Sequence, residues 1–142
     1  MSISVLVCDD LPSVQGMLRR MLERAGHVVS GCAATADEVL ERYEEQRPDV
    51  VLLDYRMPGA HGLSLLRALL ALDDRARVVM CSGTGDPDLQ REALEAGAMA
   101  WVLKPIFPQS FVPLLGELMA RHSTSGEPAL EGVQDTEPST GD

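Results

Sequence analysis

The stretch DVVLLDYRMPGAHGL, residues 49–63, sets the fold of this chain. Its first half is an apolar run without a polar interruption, and it closes on Asp54. Such runs are typical of strands buried on both faces of a parallel sheet. Its second half contains Pro58, Gly59 and Gly62, which favour a loop over a continued strand. We therefore predict a central parallel strand that carries a carboxylate at its carboxyl end.

Four further apolar runs flank this strand, at residues 3–9, 27–33, 77–82 and 100–104. Segments with apolar residues at helical spacing separate them, and two carry start signals. Thr35 and Glu38 form a capping-box pattern, and Asp86 followed by Pro87 is typical of a helix start. Five strands alternating with five helices predict an α/β fold, with a doubly wound five-stranded parallel sheet.

Composition divides the chain into two parts. Residues 1–122 contain the alternating pattern and form the predicted domain, whereas residues 123–142 contain five acidic residues, no basic ones and few large apolar side chains. A segment of that composition cannot bury enough surface to offset the entropy of ordering. We therefore predict an acidic disordered tail over residues 123–142.

Charge, hydropathy and cysteine spacing argue against nucleic-acid binding, a membrane span and a cysteine metal site. The net charge of -10 argues against direct binding of nucleic acid, which requires basic surfaces. No apolar run reaches the roughly 18 residues of a membrane span, and the amino terminus does not resemble a signal peptide. Cys8, Cys32 and Cys81 lack metal-site spacing. A cytoplasmic protein with reduced thiols is the expectation.

Chemically active side chains stand where the predicted strands end. These are Asp9 and Asp10, Asp54, Ser82, and Lys104, the single lysine among eleven arginines. Because parallel strands end at a common edge, we expect the five to converge. Three carboxylates repel one another, and a hard divalent cation such as Mg²⁺ relieves that repulsion. With an ammonium and a hydroxyl beside it, Asp54 is the candidate nucleophile for phosphoryl transfer.

Four motifs in order carry a family resemblance: VLVCDD (5–10), VVLLDYRMPGAHGL (50–63), VVMCSG (78–83) and AWVLKPI (100–106). Over residues 1 to about 122 the chain resembles bacterial response-regulator receiver domains. The resemblance implies a flavodoxin-like sheet with strand order 2-1-3-4-5. It also implies that a histidine kinase or a histidine phosphotransfer protein phosphorylates Asp54. Mg²⁺ is then held by Asp9, Asp10, Asp54 and the backbone carbonyl of Arg56.

The resemblance also assigns residues for switching. Ser82 and Lys104 contact the phosphoryl group, and Pro105 matches a cis-proline that follows the lysine. Trp101 occupies the position of an aromatic that turns inward on phosphorylation, where tyrosine or phenylalanine is more usual. Arg56 and Thr84 lie at the two positions that flank the hydrolytic water and tune the phosphate lifetime. The implied output face runs over the fourth helix, the fifth strand and the fifth helix.

Two questions stay open at this point, the signalling role and the oligomeric state, and two other classes of protein are disfavoured. We expect a stand-alone, chemotaxis-regulator-like switch that catalyses only its own phosphorylation and dephosphorylation. It acts either as a diffusible effector or as a phosphorelay intermediate, and homodimerisation is undecided. A flavin-binding module is disfavoured because the two acids of CDDLPS (8–13) would repel a bare phosphate. A haloacid-dehalogenase phosphatase is disfavoured because DYRMP (54–58) does not fit its D-x-D-x-T pattern.

Overall fold

Five parallel strands form the sheet in a computed structural model that describes residues 2–122. They are β1 (Ser4–Cys8), β2 (Val28–Ala33), β3 (Val50–Asp54), β4 (Val78–Ser82) and β5 (Ala100–Leu103). Neighbouring strands follow the order β2-β1-β3-β4-β5. The predicted flavodoxin-like fold and its strand order are confirmed.

Five helices alternate with the strands: α1 (Pro12–Arg24), α2 (Ala36–Gln46), α3 (Gly62–Leu72), α4 (Pro87–Ala96) and α5 (Pro108–His122). The chain divides into two units after Pro108, so the sheet and α1–α4 belong to the first unit and almost all of α5 to the second. Within α5, Phe111 and Leu115 are buried, whereas Leu114 is half-buried.

The predicted helix starts are confirmed by their hydrogen bonds. At α2, the Glu38 backbone N–H donates to Thr35 Oγ1 at 3.2 Å, and the Ala34 N–H donates to Glu38 Oε1 at 2.7 Å. At α4, Asp86 Oδ1 accepts from the Asp88 N–H at 2.9 Å. The bonds from the Glu38 and Asp88 N–H groups satisfy donors that a helix start would otherwise leave unpaired.

Side-chain alternation along the strands builds a core on one face of the sheet. Leu6, Val51, Leu53 and Met80 are fully buried in a cluster that also contains residues of α2, α3 and α4. Helix α1 packs on β1 and β2 and buries its own residues outside that cluster. Both faces of the central strand, β3, are buried. Polar groups of the sheet are therefore found at the strand ends.

Three expectations from the sequence concern features other than this architecture. The predicted acidic tail, residues 123–142, lies outside the described residues. Within residues 2–122, no helix combines the length and the apolar character that crossing a membrane requires. Cys8, Cys32 and Cys81 are free, and burial raises the pKa of both the Cys8 and the Cys81 thiol.

Candidate functional site

The polar residues that the described part of the chain buries are three: Asp9, Asp54 and Ser82. Asp9 follows β1, while Asp54 and Ser82 end β3 and β4. Since β3 pairs with β1 on one side and with β4 on the other, Asp54 lies at the centre of the carboxyl edge. Burying a polar group costs free energy unless it is partnered, so this concentration marks a functional site.

Lys104 bridges the two buried carboxylates. Its Nζ lies 2.7 Å from Asp9 Oδ2 and 3.2 Å from Asp54 Oδ2. Burial raises the pKa of Asp54, and the charge of Lys104 opposes this rise only in part. For Lys104, burial lowers the pKa, but its bonds to Asp9 and Asp54 outweigh that effect and raise it overall. Lys104 therefore stays charged.

The three aspartates form an acidic pocket. Asp9, Asp10 and Asp54 each offer a carboxylate oxygen, and these oxygens lie within 4.8 Å of one another. Asp10 is exposed, so the pocket opens to solvent on its side. Charged oxygen donors in an open site that leaves room for waters suit Mg²⁺, so the donor set fits that ion.

A cleft of about 500 Å³ opens over this pocket. Most of the site residues predicted from the sequence line this cleft. The lining residues are Asp10, Leu11, Asp54, Arg56, Ser82, Gly83, Thr84 and Lys104. Asp9 is buried, with Oδ1 accepting from the Leu11 backbone N–H at 2.9 Å. The backbone N–H of Arg56 donates to Asp54 Oδ1 at 3.4 Å, whereas metal binding through the Arg56 carbonyl stays a prediction.

The loop after β4 is tied to β5. Ser82 Oγ accepts a hydrogen bond from the Thr84 N–H at 3.1 Å, and the Thr84 carbonyl accepts one from the Trp101 indole N–H at 3.2 Å. Trp101 is half-buried against the core cluster and is not part of the cleft lining. The Lys104–Pro105 peptide bond is cis, as predicted.

Tyr55 and His61 lie beside the site, although the sequence does not mark either of them as a site residue. His61 is exposed, but its Nδ1 accepts from the Leu63 N–H at 3.3 Å and so caps α3. Its Nε2 lies 2.8 Å from Tyr55 Oη. The sequence signal for this cap is the position of His61 directly before a helical pattern, where a side chain that accepts a hydrogen bond is favoured.

Comparison with known proteins agrees with this geometry. The family described as the response regulator receiver domain matches residues 5–115. The chain belongs to this family. Receiver domains are signalling switches that accept phosphoryl groups and bind Mg²⁺ at an acidic pocket. In this receiver domain, Asp9, Asp10 and Asp54 form an acidic cluster.

Relatives of this receiver domain include a chemotaxis protein CheY of Thermotoga maritima, 32% identical over 80% of this chain and 95% of that protein. A Myxococcus xanthus protein-glutamate methylesterase/protein-glutamine glutaminase is 38% identical over 96% of this chain, but the match covers only 40% of that protein. A CheY-like receiver domain protein of Methanospirillum hungatei is 25% identical, with a TM-score of 0.81 over 89% of this chain and 100% of that one. A CheX-CheY-BeF3-Mg²⁺ complex of Borrelia burgdorferi is 28% identical, with a TM-score of 0.74 over 82% of this chain and 87% of the matched one.

Proposed function

We propose that this receiver domain accepts a phosphoryl group on Asp54 from a histidine kinase or a histidine phosphotransfer protein. The observation that carries the proposal is a buried carboxylate at the floor of a cleft, with Lys104 bridging it to a second buried carboxylate. The structure of a related CheY with BeF3 and Mg²⁺ supports the same chemistry.

Asp54 acts as the nucleophile. One of its carboxylate oxygens forms a bond to phosphorus as the phosphorus–nitrogen bond of the donor phosphohistidine breaks, and the imidazole takes up a proton as it leaves. Mg²⁺, held by Asp9, Asp10, Asp54 and the carbonyl of Arg56, would neutralise charge on the phosphoryl oxygens. The Arg56 N–H and Lys104 each approach a different oxygen of Asp54, and together they fix the orientation of its carboxylate.

Lys104 and Ser82 stabilise the negative charge of the transferred phosphoryl group. The Lys104 ammonium has hydrogen-bonded acceptors on both carboxylates, so it can turn from Asp54 to a phosphoryl oxygen while it stays bonded to Asp9. Ser82 Oγ accepts from Thr84 and keeps its own hydroxyl proton available to the phosphoryl group. These two donors stabilise the transition state because they are in place before the reaction.

Arg56 and Thr84 tune the lifetime of the phosphorylated state in this proposal. Both line the cleft above Asp54, where a hydrolytic water must approach. Arg56 is exposed, and its side chain can cover that approach. Substitution of either residue should therefore change the rate of dephosphorylation more than it changes the stability of the fold.

The phosphorylated form signals through protein contacts, from the cytoplasm and without nucleic acid. Leu94 of α4 and Leu103 of β5 are exposed apolar side chains, which supports the part of the predicted output face formed by α4 and β5. An effector role is our first choice because the chain matches CheY over most of that protein's length. Transfer of phosphate from Asp54 to a second histidine protein would favour the relay role.

Incubation with Mg²⁺ and a small phosphodonor such as phosphoramidate tests the acceptor. We expect the intact mass to rise by one phosphoryl group, and the D54N variant to show no rise. D37N is the matched control, because Asp37 is an exposed aspartate of α2 outside the cleft. Phosphorylation that persists in D54N, or that maps to another residue, would refute the assignment.

A further inference from the structure

Tyr55 is held in place both by its backbone and by its hydroxyl group. Its backbone N–H donates to the Cys81 carbonyl at 2.8 Å, and 9% of its surface is exposed. At its outer end, Oη lies 2.8 Å from His61 Nε2, and the two rings meet edge-on with centroids 5.1 Å apart. Because Nδ1 of His61 accepts from Leu63, the neutral ring carries its proton on Nε2 and donates it to Tyr55.

The ring of Tyr55 also contacts Trp101. Their centroids lie 5.8 Å apart with a tilt of 54°. Trp101 comes from β5 and is half-buried, so Tyr55 limits the positions that the indole can take. The phenol is thus held by the first turn of α3 at one end and supports the indole of β5 on its ring.

Trp101 holds the loop between β4 and α4. Its indole N–H donates to the Thr84 carbonyl, and the N–H of that same residue donates to Ser82 Oγ. Ser82 and Thr84 line the cleft above Asp54. An unbroken series of contacts therefore runs from the start of α3 to a hydroxyl at the phosphorylation site.

We propose that Tyr55 and His61 are positioning residues that hold Trp101, and through it the β4–α4 loop, in place beside the phosphorylation site. The idea rests on the proposed function, since it makes the loop a part of the phosphorylation site. Ser82 belongs to this loop and has to meet the phosphoryl group, so a change in the position of the loop changes the free energy of binding that group. Releasing the pair should therefore change the affinity of the site for a phosphoryl group.

Two variants release the pair while they spare the fold. Y55F keeps the ring and loses Oη. H61N keeps an acceptor for the Leu63 N–H, because asparagine is a good N-cap, but its shorter side chain does not reach Tyr55. The controls are Y43F, at the other tyrosine, which bonds Asp73, and H27N, at a histidine that accepts from the Ile3 N–H.

The first measurement is the fluorescence of Trp101, the single tryptophan, without any ligand. We expect a shifted emission maximum and a lower anisotropy in Y55F and H61N, an equal change in the double variant, and no change in Y43F or H27N. Equal effects are expected because both substitutions remove the same contact. Unchanged emission in Y55F and H61N would overturn the proposal.

The second measurement is the affinity for beryllofluoride with Mg²⁺. Loss of one hydrogen bond that positions the loop should change the apparent affinity about two- to tenfold, in the same direction in Y55F and in H61N. An unchanged affinity, or changes of opposite direction in the two variants, would overturn the proposal. If the wild-type protein bound no beryllofluoride, the proposed function would fail, while the ligand-free fluorescence would still decide whether the pair positions Trp101.

Discussion

Asp54 shows at the level of a single residue how burial and counter-charge compete. Its exposed fraction is 8%, and burial raises its pKa despite Lys104 at 3.2 Å. An ionised carboxylate in this position costs the folded protein free energy, because the unfolded chain solvates it fully. This destabilising charge lies on the carboxylate that the proposed reaction requires.

The D54N substitution should stabilise the fold at neutral pH, by on the order of 1 kcal/mol, because it removes this buried charge. The folded-state pKa of Asp54 is raised, so the cost is present above that pKa and disappears as the pH falls through it. The stability advantage of D54N should therefore shrink toward acidic pH. Urea unfolding of both proteins across this range measures it, and a constant or widening difference would contradict the prediction.

The S82A substitution should slow phosphorylation by a small phosphodonor about 10²-fold, because it removes a hydroxyl donor from the transferred group. The fold should change little, since Ser82 Oγ accepts only the Thr84 N–H in the contacts described. Single-turnover kinetics with intact-mass detection measures the rate. S82T, which keeps the hydroxyl, should retain most of it, and equal rates in S82A and S82T would exclude the role.

At the level of elements, the join between β3 and α3 positions the site. After Asp54 the chain forms a short antiparallel pair, Arg56–Met57 with Ala60–His61, and enters α3 at Gly62. The Pro58 carbonyl accepts from the Ala36 N–H at 3.0 Å, which anchors this loop to the start of α2. The loop thereby holds both Arg56 and Tyr55 beside the cleft.

Gly62 is required here because the backbone passes too close for a side chain. A Cβ at this position would lie 2.5 Å from the Tyr55 carbonyl oxygen and 2.7 Å from its Cδ1. We expect G62A to destabilise the protein by about 1–3 kcal/mol, since backbone must move to relieve the overlap. Urea unfolding measures the free energy.

The control for that variant is G116A in α5, where a Cβ would meet nothing within 4 Å. Alanine should be neutral or stabilise the helix there, by up to about 1 kcal/mol. If G62A and G116A had the same effect, close approach would not be the reason for glycine at position 62.

At the level of the whole molecule, the proposed Mg²⁺ site would couple metal binding to folding. The pocket exists only when β1 and β3 are paired, so Mg²⁺ should bind the folded chain and raise its unfolding free energy, by about 2.7 kcal/mol at a hundred times the dissociation constant. Thermal unfolding with and without Mg²⁺ measures this. The stabilisation should be much smaller in D10N, which removes an exposed ligand, and should persist in D37N. Equal stabilisation in D10N would place the ion elsewhere.

Much of the fold and part of the site can be predicted from the sequence. The strand order, the helix caps at Thr35 and Asp86 and the cis bond before Pro105 were all predicted, and the structure contains each of them. The helix caps depend on patterns within short segments, whereas the strand order and the cis bond were implied by the family resemblance. Asp10, Asp54, Ser82 and Lys104 were expected in the cleft because parallel strands end at one edge, and Arg56 and Thr84 because of the resemblance.

What the tertiary structure alone decided is which side chain meets which. The sequence by itself determined that acids, a serine and a lysine share one edge, because strand ends are local features. It did not determine that Lys104 bridges Asp9 and Asp54, that His61 bonds Tyr55, or that the Trp101 indole holds the loop of Ser82. Those pairings join residues on different strands and loops, and their geometry depends on rotamers that packing selects only after the sheet is formed.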